Sequence, residues 1–376
     1  MSTPLRVLQL APYPVLPAVA GGKVRIVQLA RALSRLGVEV TLVTPFHFTQ
    51  RRSLTRREPF HLRQVPYAPF GLTSLLVDRP FPYGALISFH PGYGALLPVD
   101  PAAFDLCQID HPAFVDLARR LPDSLPLVYG SQNVEFDYVA AERPKGGVRD
   151  LAAGRVRRLE ARLVERADLV LACTEGDRLR FGELYGIDQA HVRVTPNGIN
   201  LAAVAAALAA ARPAALRLPR RAIFAGSDVA HNRRAVRELV DRIAPALVGK
   251  VEVVIVGPCA RSIGRRVPPN VILDPSGDLA DHALPGAVGL NPVVAGSGSN
   301  LKLLYTLAHG LPVVSTPFGM RGFADLEPWI TVAPIEDFAT AMQGELALPD
   351  GLREALAPYG WDTVGAGVLA AYEALL

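Results

Sequence analysis

The sequence has few of the residues that mark specialised classes of protein. Its 376 residues include 3 cysteines, 3 methionines and 2 tryptophans, and aromatic residues make up only 7%. Three cysteines are too few for a small disulfide framework, and Cys107 and Cys173 stand in apolar runs typical of buried strands. The cysteine content therefore favours a reducing compartment.

Long apolar segments are also missing. The longest such run, over residues 201–211, ends at an Arg-Pro pair and is shorter than the roughly 20 residues that a membrane-spanning helix needs. The N-terminus lacks the basic region and apolar stretch of a signal peptide. We therefore expect a cytoplasmic protein, with at most a peripheral contact at the inner face of the cell membrane.

Basic and acidic residues are nearly balanced in number. The net charge is +4, with 24 basic and 19 acidic residues up to residue 205, and 15 basic and 16 acidic residues after it. The chain has no zinc pattern, basic-region helix or stacked-aromatic signature, so we expect no nucleic-acid partner. P-loop, HExxH, CxxC, GxSxG and EF-hand patterns are absent as well, and we expect no metal site.

Half of the residues are hydrophobic, and they form short apolar runs that alternate with helical stretches. This alternation predicts parallel sheets covered by helices. A first βαβ unit spans Arg6–Leu10, Gly21–Leu36 and Val38–Val43, and a second series of strands begins at Arg221–Phe224. Two α/β domains in series account for this pattern; one large sheet is the alternative. The other predicted strands are Leu106–Ile109, Pro126–Tyr129, Leu169–Cys173, His191–Val194, Val251–Val256, Val271–Leu273, Val288–Leu290 and Val313–Val314. The other predicted helices are Ala113–Leu121, Arg149–Arg166, Thr174–Tyr185, Arg233–Leu247, Leu301–His309 and Thr363–Leu376.

Three junctions between a loop and a helix could bind phosphate, because free backbone N–H groups and the helix dipole favour anions there. The first holds Gly21 and Gly22 ahead of the first helix, where a plain structural turn is the alternative. The second, Ala225–Asp228, precedes Asn232 and Arg233. There the alternative is that Asn232 caps the helix and the arginine is solvated.

The third junction, over residues 291–305, is the most informative. A strand ends in small and hydroxyl-bearing residues, and the following helix carries Lys302, one of only four lysines, in its first turn. Cations normally prefer the other end of a helix, so this position indicates an anion nearby. We expect Lys302, Ser299 and Asn300 to contact phosphate; a plain surface lysine is the alternative.

Polar residues follow three predicted strands of the first domain. His111 follows Leu106–Ile109, Asn133 and Glu135 follow Pro126–Tyr129, and Glu175 follows Leu169–Cys173. Parallel strands end at a common edge, where α/β proteins bind ligands, so these residues predict a shared cleft. A purely structural histidine is the alternative for His111.

In their order along the chain, these segments resemble the family-4 glycosyltransferases. The matching segments are Pro17–Arg25 (a proline-x-x-glycine-glycine segment), Asp105–His111, Asn133–Glu135 (an HNVE-like element with Gln132 in place of histidine), Ala167–Glu175, Pro196–Asn200 and Gly296–Gly319. The resemblance implies the GT-B fold, an α/β architecture of two Rossmann-like domains facing a central cleft. It implies an N-terminal acceptor-binding domain over residues 1–200, a linker over 201–218 and a nucleotide-sugar-binding domain over 219–358. A C-terminal helix over 359–376 would cross back to the N-terminal domain.

The resemblance also implies a function. A sugar would move from a UDP-, GDP- or ADP-linked donor to an acceptor hydroxyl, with retention and without metal or another cofactor, in glycan, glycolipid or natural-product biosynthesis. The implied catalytic residues are His111 and Lys302. The implied donor-binding residues are Gly21, Gly22, Gly226, Ser227, Arg233, Gly296, Ser297, Gly298, Ser299, Asn300 and Tyr305. The implied acceptor or cleft residues are Arg25, Asn133, Glu135, Glu175 and Asn197.

The chain departs from the family pattern at four donor contacts. The family's paired glutamates would fall on Ser297 and Tyr305, and basic residues that often bind donor phosphates would fall on Ser227 and Asn232. We expect Arg233, Arg234 and Lys302 to supply the positive charge instead. A catalytically degenerate scaffold or binding protein, and a GT-B nucleotide-sugar epimerase, are the alternatives that these changes leave open.

The acceptor is the least defined partner. Residues 51–63 hold five arginines, and the following stretch over 66–93 is rich in proline, tyrosine and phenylalanine. Such a segment could engage an anionic lipid-linked acceptor at a membrane surface. A solvated basic loop with apolar packing is the alternative, and the oligomeric state is left open.

Overall fold

A computed structural model describes residues 3–18, 21–46, 58–66, 99–119, 121–141, 148–202, 221–264, 266–284, 286–295, 299–342, 346 and 348–376. The chain divides into two compact units. The first consists of Met1–Asn197 with Trp361–Leu376, and the second of Gly198–Gly360.

The first unit contains a seven-stranded parallel sheet within the described residues, in the order β3-β2-β1-β4-β5-β6-β7. Its strands are β1 (Arg6–Leu10), β2 (Glu39–Phe46), β3 (His61–Pro66), β4 (Leu106–Ile109), β5 (Leu127–Gly130), β6 (Leu169–Ala172) and β7 (Val192–Val194). Its helices are α1 (Gly21–Arg35), α2 (Val115–Ala118), α3 (Glu135–Ala141), α4 (Val148–Arg166), α5 (Glu175–Tyr185) and, from the C-terminus, α12 (Trp361–Glu373).

Strand order explains where a ligand site can form in the first unit. Every residue of β4, β5 and β6 is buried, as expected for strands covered by helices on both faces. Strands β2 and β3 lie on one side of β1 in the sheet, and β4 to β7 follow in order on its other side. Loops that follow β1 and β4 diverge at this topological switch point, and the crevice between them is where such sheets bind ligands. His111 lies two residues beyond the end of β4.

Helix α12 packs against α1 within the first unit. Gly365 makes this approach possible, since a Cβ atom there would stand 2.6 Å from Cβ of Ala32. Tyr372 is fully buried on the same helix and donates its O–H to Oε1 of Gln108 in β4. The last helix of the chain is thereby joined to the central strands of the first sheet.

The second unit contains a six-stranded parallel sheet in its described part, in the order β10-β9-β8-β11-β12-β13. Its strands are β8 (Arg221–Ala225), β9 (Glu252–Val256), β10 (Val271–Asp274), β11 (Ala287–Asn291), β12 (Val313–Ser315) and β13 (Ile330–Val332). Its helices are α6 (Ala230–Glu238), α7 (Ala244–Ala246), α8 (Leu279–His282), α9 (Leu301–Ala308), α10 (Phe338–Ala341) and α11 (Leu352–Leu356). Strands β9 and β10 lie on one side of β8, and β11 to β13 lie on its other side. The topological switch point is therefore between β8 and β11, and α6 and α9 are the helices that follow these two strands.

Two parallel-sheet α/β units confirm the expected fold class, and several elements differ from the sequence predictions. The predicted helix 233–247 begins earlier, at Ala230, and continues through a π-helical segment at Leu239–Ile243. Asn232 is therefore inside α6 and does not cap it; Val229 occupies the cap position. The sequence did not predict β3, β13 or α3. Cys107, Cys173 and Cys259 are free and buried.

Candidate active site

His111 is held by contacts on both ring nitrogens. Its Nδ1 accepts a hydrogen bond from the backbone N–H of Ala113 at 3.1 Å, so the geometry assigns the ring proton to Nε2. Nε2 lies 3.5 Å from Oε2 of Glu135, and both side chains are buried. Asn133 donates to the other carboxylate oxygen of Glu135 at 3.3 Å. Three residues expected to share a cleft are thus in one cluster.

Glu135 is positioned by a second acid, Glu160 of α4. The fully buried Glu160 carboxylate accepts from the backbone N–H groups of Glu135 (2.9 Å) and Phe136 (3.0 Å) at the start of α3. It also accepts from the hydroxyls of Tyr129 (2.9 Å) and Tyr185 (2.7 Å). Burial, and then the charge of Glu135, raise the pKa of Glu160 to about 7. The carboxylate fixes the beginning of the helix that carries Glu135.

A further buried acid, Asp110, directly precedes His111. Its two carboxylate oxygens accept from the side-chain amides of Gln9 (2.8 Å) and Gln108 (2.6 Å). Burial raises the pKa of Asp110 to about 7. Gln108 in turn accepts from Tyr372, so a chain of hydrogen bonds runs from α12 to the residue beside His111. Asp110 was not among the predicted site residues, although an acid at a strand end next to a candidate histidine was a signal for it.

Arg25 on α1 is buried and bonds the turn after β7. Its guanidinium donates to Oγ1 of Thr195 (2.8 Å), the carbonyl of Pro196 (3.1 Å) and Oδ1 of Asn197 (3.3 Å). Arg25 and Asn197, both expected at the cleft, therefore contact each other. All three acceptors belong to the chain, which gives this arginine a structural role at the edge of the sheet.

The two glycines expected at the donor both lie in the first turn of α1. A Cβ atom on Gly22 would collide with the hydroxyl of Tyr13 and Oε1 of Gln132, which are joined by a 2.7 Å hydrogen bond. A side chain at 22 would therefore have to displace the Tyr13–Gln132 pair. Gly21 is exposed as the first residue of the helix.

Glu175 has an ion pair of its own and takes no part in the contacts given above for the His111 cluster. It is the first residue of α5, after the cap Thr174, and its exposed carboxylate pairs with Arg178 one turn later at 2.5 Å. The expectation that strand-end residues share one cleft therefore has geometric support for His111, Asn133 and Glu135, but not for Glu175.

In the second unit, Lys302 lies in the first turn of α9. Its half-buried Nζ donates to Oδ1 of Asn232 at 2.7 Å and stands 5.5 Å from the ring centroid of Phe224. Across the described residues, no carboxylate lies within ion-pair distance of this ammonium group. Burial lowers the pKa of Lys302 to about 8.

Other basic groups surround Lys302. Burial, and then the positive charges of Lys302 and Arg321, lower the pKa of His231, in the first turn of α6, to about 4. The Arg321 guanidinium stacks 4.3 Å above the ring of Phe318. The switch edge of the second sheet thus carries the positive charges of Lys302 and Arg321; the sequence had indicated Lys302, together with Arg233 and Arg234.

The loop between β8 and α6 is closely packed. A Cβ atom on Gly226 would stand 2.8 Å from Nδ2 of Asn232, which donates to the carbonyl of Ser227 at 2.9 Å. Arg233, expected at the diphosphate, is exposed and pairs with Asp228 at 2.6 Å. Its charge is therefore compensated in this structure, unlike that of Lys302.

The remaining expected donor contacts lie around the start of α9. Asn300 occupies the cap position, but its side chain donates to the carbonyl of Gly319 at 2.9 Å and does not cap the helix. Ser299 precedes it. Tyr305 is half-buried one turn into α9, and burial raises the pKa of its hydroxyl. Gly296, Ser297 and Gly298 lie outside the described residues.

Two structural findings bear on cofactors and membranes. Among the residues that the structure describes, no three or more histidine, cysteine, aspartate or glutamate side chains come together as a potential metal site. Within the same residues, no helix combines the length and apolar character needed to cross a bilayer.

Two family models match the chain in sequence. Residues 19–203 match Glycosyltransferase Family 4, and residues 219–347 match Glycosyl transferases group 1. Together they span most of the chain, one on each side of the alanine-rich stretch. The chain belongs to these glycosyltransferases and is itself a glycosyltransferase, as the sequence motifs implied. No curated protein matches it.

Solved structures agree on the fold. Sucrose-phosphate synthase from Thermosynechococcus elongatus is 15% identical with a TM-score of 0.72, and the match covers 99% of both chains. The lipopolysaccharide outer core galactosyltransferase WaaB is 13% identical with a TM-score of 0.63, over 99% of this chain and 100% of that one. HepE from Anabaena, solved with UDP and glucose, is 14% identical with a TM-score of 0.62, over 98% and 100%. The fold is GT-B.

Proposed function

We propose that this glycosyltransferase takes its sugar from a nucleoside diphosphate donor, whose diphosphate binds at the start of α9 against Lys302. The observation that carries the proposal is the environment of the Lys302 ammonium group, which is half-buried and bonded to a neutral amide. A cation that has lost part of its hydration without gaining an acid is stabilised by an anionic ligand. The N-terminus of an eight-residue helix adds backbone donors at the same place.

The same arrangement suits the chemical step. When the bond between sugar and diphosphate breaks, negative charge increases on the departing diphosphate. A positive group that is already in position stabilises this charge without reorganisation, and such a contact can contribute about 3 kcal/mol to the lowering of the barrier. Lys302 is the residue we assign to this role, with Ser299 and Arg321 as neighbours of the diphosphate.

The proposal also concerns the identity of the nucleotide in the donor. HepE was solved with UDP and glucose, and this makes UDP the first of the three candidate nucleotides to test here, ahead of GDP and ADP. We assign Tyr305, half-buried on α9, to contact with the nucleoside.

For the first unit we propose that it binds the acceptor and that His111 hydrogen-bonds a hydroxyl of the sugar or the acceptor. The backbone N–H of Ala113 occupies Nδ1, and Nε2 carries the proton. In this state the ring is a hydrogen-bond donor through Nε2 and has no free nitrogen to act as a general base. This fits a reaction that proceeds with retention, which is part of the proposal, as are independence of metal and a peripheral membrane contact.

A donor panel tests the proposal directly. UDP-, GDP- and ADP-sugars are incubated with the protein, and release of the nucleoside diphosphate is followed by mass spectrometry, with and without EDTA. Calorimetry then measures binding of the matching nucleoside diphosphate and of the nucleoside alone. We expect one nucleotide class to bind and turn over, and unchanged turnover in EDTA. Absence of binding by all three nucleotides would contradict the proposal.

Two variants test the residue assignments. Lys302→Ala is expected to weaken nucleoside diphosphate binding by about 10-fold to 100-fold while nucleoside binding changes little, since charge-assisted bonds contribute about 1.5–3 kcal/mol. Lys250→Ala, at an exposed lysine of the same unit, is the matched control. His111→Ala is expected to abolish transfer and to retain donor binding. Equal losses for nucleotide and nucleoside, or unchanged transfer, would remove Lys302 or His111 respectively from the site.

A further inference from the structure

Asn232 is the side chain that holds Lys302, and its amide has a single consistent orientation. The Nδ2 group donates to the carbonyl of Ser227 at 2.9 Å, and Oδ1 accepts from Nζ of Lys302 at 2.7 Å. A carbonyl can only accept and an ammonium group can only donate, so flipping the amide would lose both bonds. Asn232 is 2% exposed.

The packing around Asn232 leaves it little freedom. Gly226 lies so close that a Cβ atom there would stand 2.8 Å from Nδ2 of Asn232. The amide therefore links three elements of the switch edge, namely the loop after β8, helix α6 and helix α9. Through the last of these bonds it fixes the position of the Lys302 ammonium group, 70 residues further along the chain.

We propose that Asn232 is a positioning residue for the donor diphosphate, because its neutral amide orients the Lys302 ammonium group and leaves the positive charge uncompensated. This inference rests on the proposed function of Lys302. A carboxylate at 232 would form an ion pair with Lys302 and repel a phosphate, whereas an alanine would leave the ammonium group without its partner. An amide orients the ammonium group of Lys302 through a hydrogen bond and does not neutralise its charge.

Other titratable groups face Lys302 and enter any pH dependence. His231 lies in the positive field of Lys302 and Arg321, the thiol of Cys259 interacts with Lys302 electrostatically, and Asp228 interacts with that thiol. Asp228 is already paired with Arg233. The experiment therefore compares variants at the single position 232 and leaves these neighbours constant.

The first experiment measures binding of UDP, GDP, ADP and their nucleosides to Asn232→Ala and Asn232→Asp by calorimetry. Both variants lose the bond to Ser227; the aspartate variant keeps an acceptor for Lys302 and adds a negative charge, whereas the alanine variant has neither. We expect about 5-fold weaker diphosphate binding for the alanine variant, and at least about 10-fold further weakening for the aspartate variant, with nucleoside binding unchanged in both. Asn200→Asp adds the same charge at an exposed turn of the same unit, and is expected to bind as the wild type does.

The pH profile of the same binding gives a readout that a purely structural role would not change. Above pH 7 the terminal phosphate is fully ionised, so affinity should fall as pH rises through the pKa of Lys302 near 8. In the aspartate variant this fall should move to higher pH, because a neighbouring carboxylate favours the charged lysine. An aspartate variant that binds within about twofold of the alanine variant, or losses equal for nucleotide and nucleoside, would overturn the proposal.

A second experiment separates this inference from the proposed function. The chain has only four lysines, so carbon-13 labelling at Cε gives four NMR signals, and Lys302→Arg assigns the one of interest. The Lys302 signal in Asn232→Asp should titrate at higher pH than in the wild type, without any ligand. If no nucleotide binds the wild type, the proposed function fails; if the titration does not move, the role of Asn232 fails.

Discussion

In the first unit the buried guanidinium of Arg25 donates three hydrogen bonds to Thr195, Pro196 and Asn197, whereas in the second unit the ammonium of Lys302 donates to a single amide. The acids of the first unit are equally engaged. Asp110 accepts from two glutamines, and Glu160 accepts from two tyrosines and two backbone N–H groups. In the first unit these charged side chains are hydrogen-bonded to other groups of the chain, whereas in the second unit the positive charge of Lys302 has no acidic partner among the described residues.

This difference indicates what each edge can bind. A network in which polar groups already have partners is rigid and can orient a neutral, hydroxyl-bearing molecule with few additional charges. A half-buried cation beside other basic groups favours a charged ligand. The contrast predicts that substitutions in the buried network of the first unit, other than at His111, mainly affect stability, and that substitutions around Lys302 in the second unit mainly affect affinity for anions.

The largest expected effect concerns pH and the first unit. Asp110 has a pKa of about 7 in the folded chain against 3.8 ordinarily, so the folded state retains a proton that the unfolded chain releases between pH 4 and pH 7. Its contribution to stability is present below about pH 4 and is lost as pH rises through 7, a change of about 4 kcal/mol. Hydrogen exchange of β4 and β5 should show this loss in the wild type. Asp110→Asn should remove this part of the loss and leave the part that Glu160 contributes, whereas Asp123→Asn, at an exposed acid, should leave the profile unchanged; a wild-type profile in Asp110→Asn would contradict the prediction.

The next effect concerns catalysis in the second unit. Lys302→Gln keeps the length of the side chain approximately and removes its charge, so kcat/KM for the donor should fall by about 100-fold, equivalent to about 3 kcal/mol. Steady-state kinetics with the donor found in the panel measures this. Lys250→Gln is the control, and thermal unfolding should show that both variants are folded. A fall of less than about threefold would place the diphosphate elsewhere.

Arg25→Met tests whether a substitution in the first unit lowers stability without changing nucleotide binding by the second unit. Three buried acceptors lose their donor, so we expect the first unit to lose about 2–3 kcal/mol of unfolding free energy, while nucleotide binding by the second unit is retained. Denaturant unfolding followed by hydrogen exchange of α1 and β7 measures the change, and Arg25→Lys should recover part of it. If Arg25→Met instead left stability unchanged and weakened nucleotide binding, the contrast between the units would be wrong.

The smallest effect is expected at Tyr372→Phe. The variant removes the hydroxyl that donates to Gln108 and should cost about 1 kcal/mol, seen as faster exchange in α12 and β4. Donor affinity should be unchanged. Slower transfer with normal donor binding would sharpen the comparison, because it would show that the network from α12 to Asp110 also positions His111.

Much of the fold was predictable because strands buried on both faces are continuous apolar runs. The sequence alone placed β1 at Arg6–Leu10 and β4 at Leu106–Ile109, and the structure has the same bounds. It missed β13, whose three residues are too short for a periodic signal and end in an exposed valine. It also missed the start of α6, because the residues that begin this helix, Ala230 and His231, follow an uncapped Val229.

The candidate site was predictable where residue type and position carry the signal. His111 at a strand end and Lys302 at a helix start both stood out on that basis. Asp110 and Glu160 did not, because only burial turns an ordinary acid into one with a pKa near 7. Asn232 was interpreted as a possible helix cap, since nothing local indicated a partner 70 residues away.

The sequence by itself determined the two α/β units, the membership of the glycosyltransferases and the presence of a lysine at the positive end of a helix. Only the tertiary structure decided which charges are compensated. Arg233 and Lys302 are equally basic in the sequence, yet folding places a carboxylate 2.6 Å from Arg233 and an amide 2.7 Å from Lys302. Electrostatic energy depends on distance and burial, and folding sets both by bringing distant segments together.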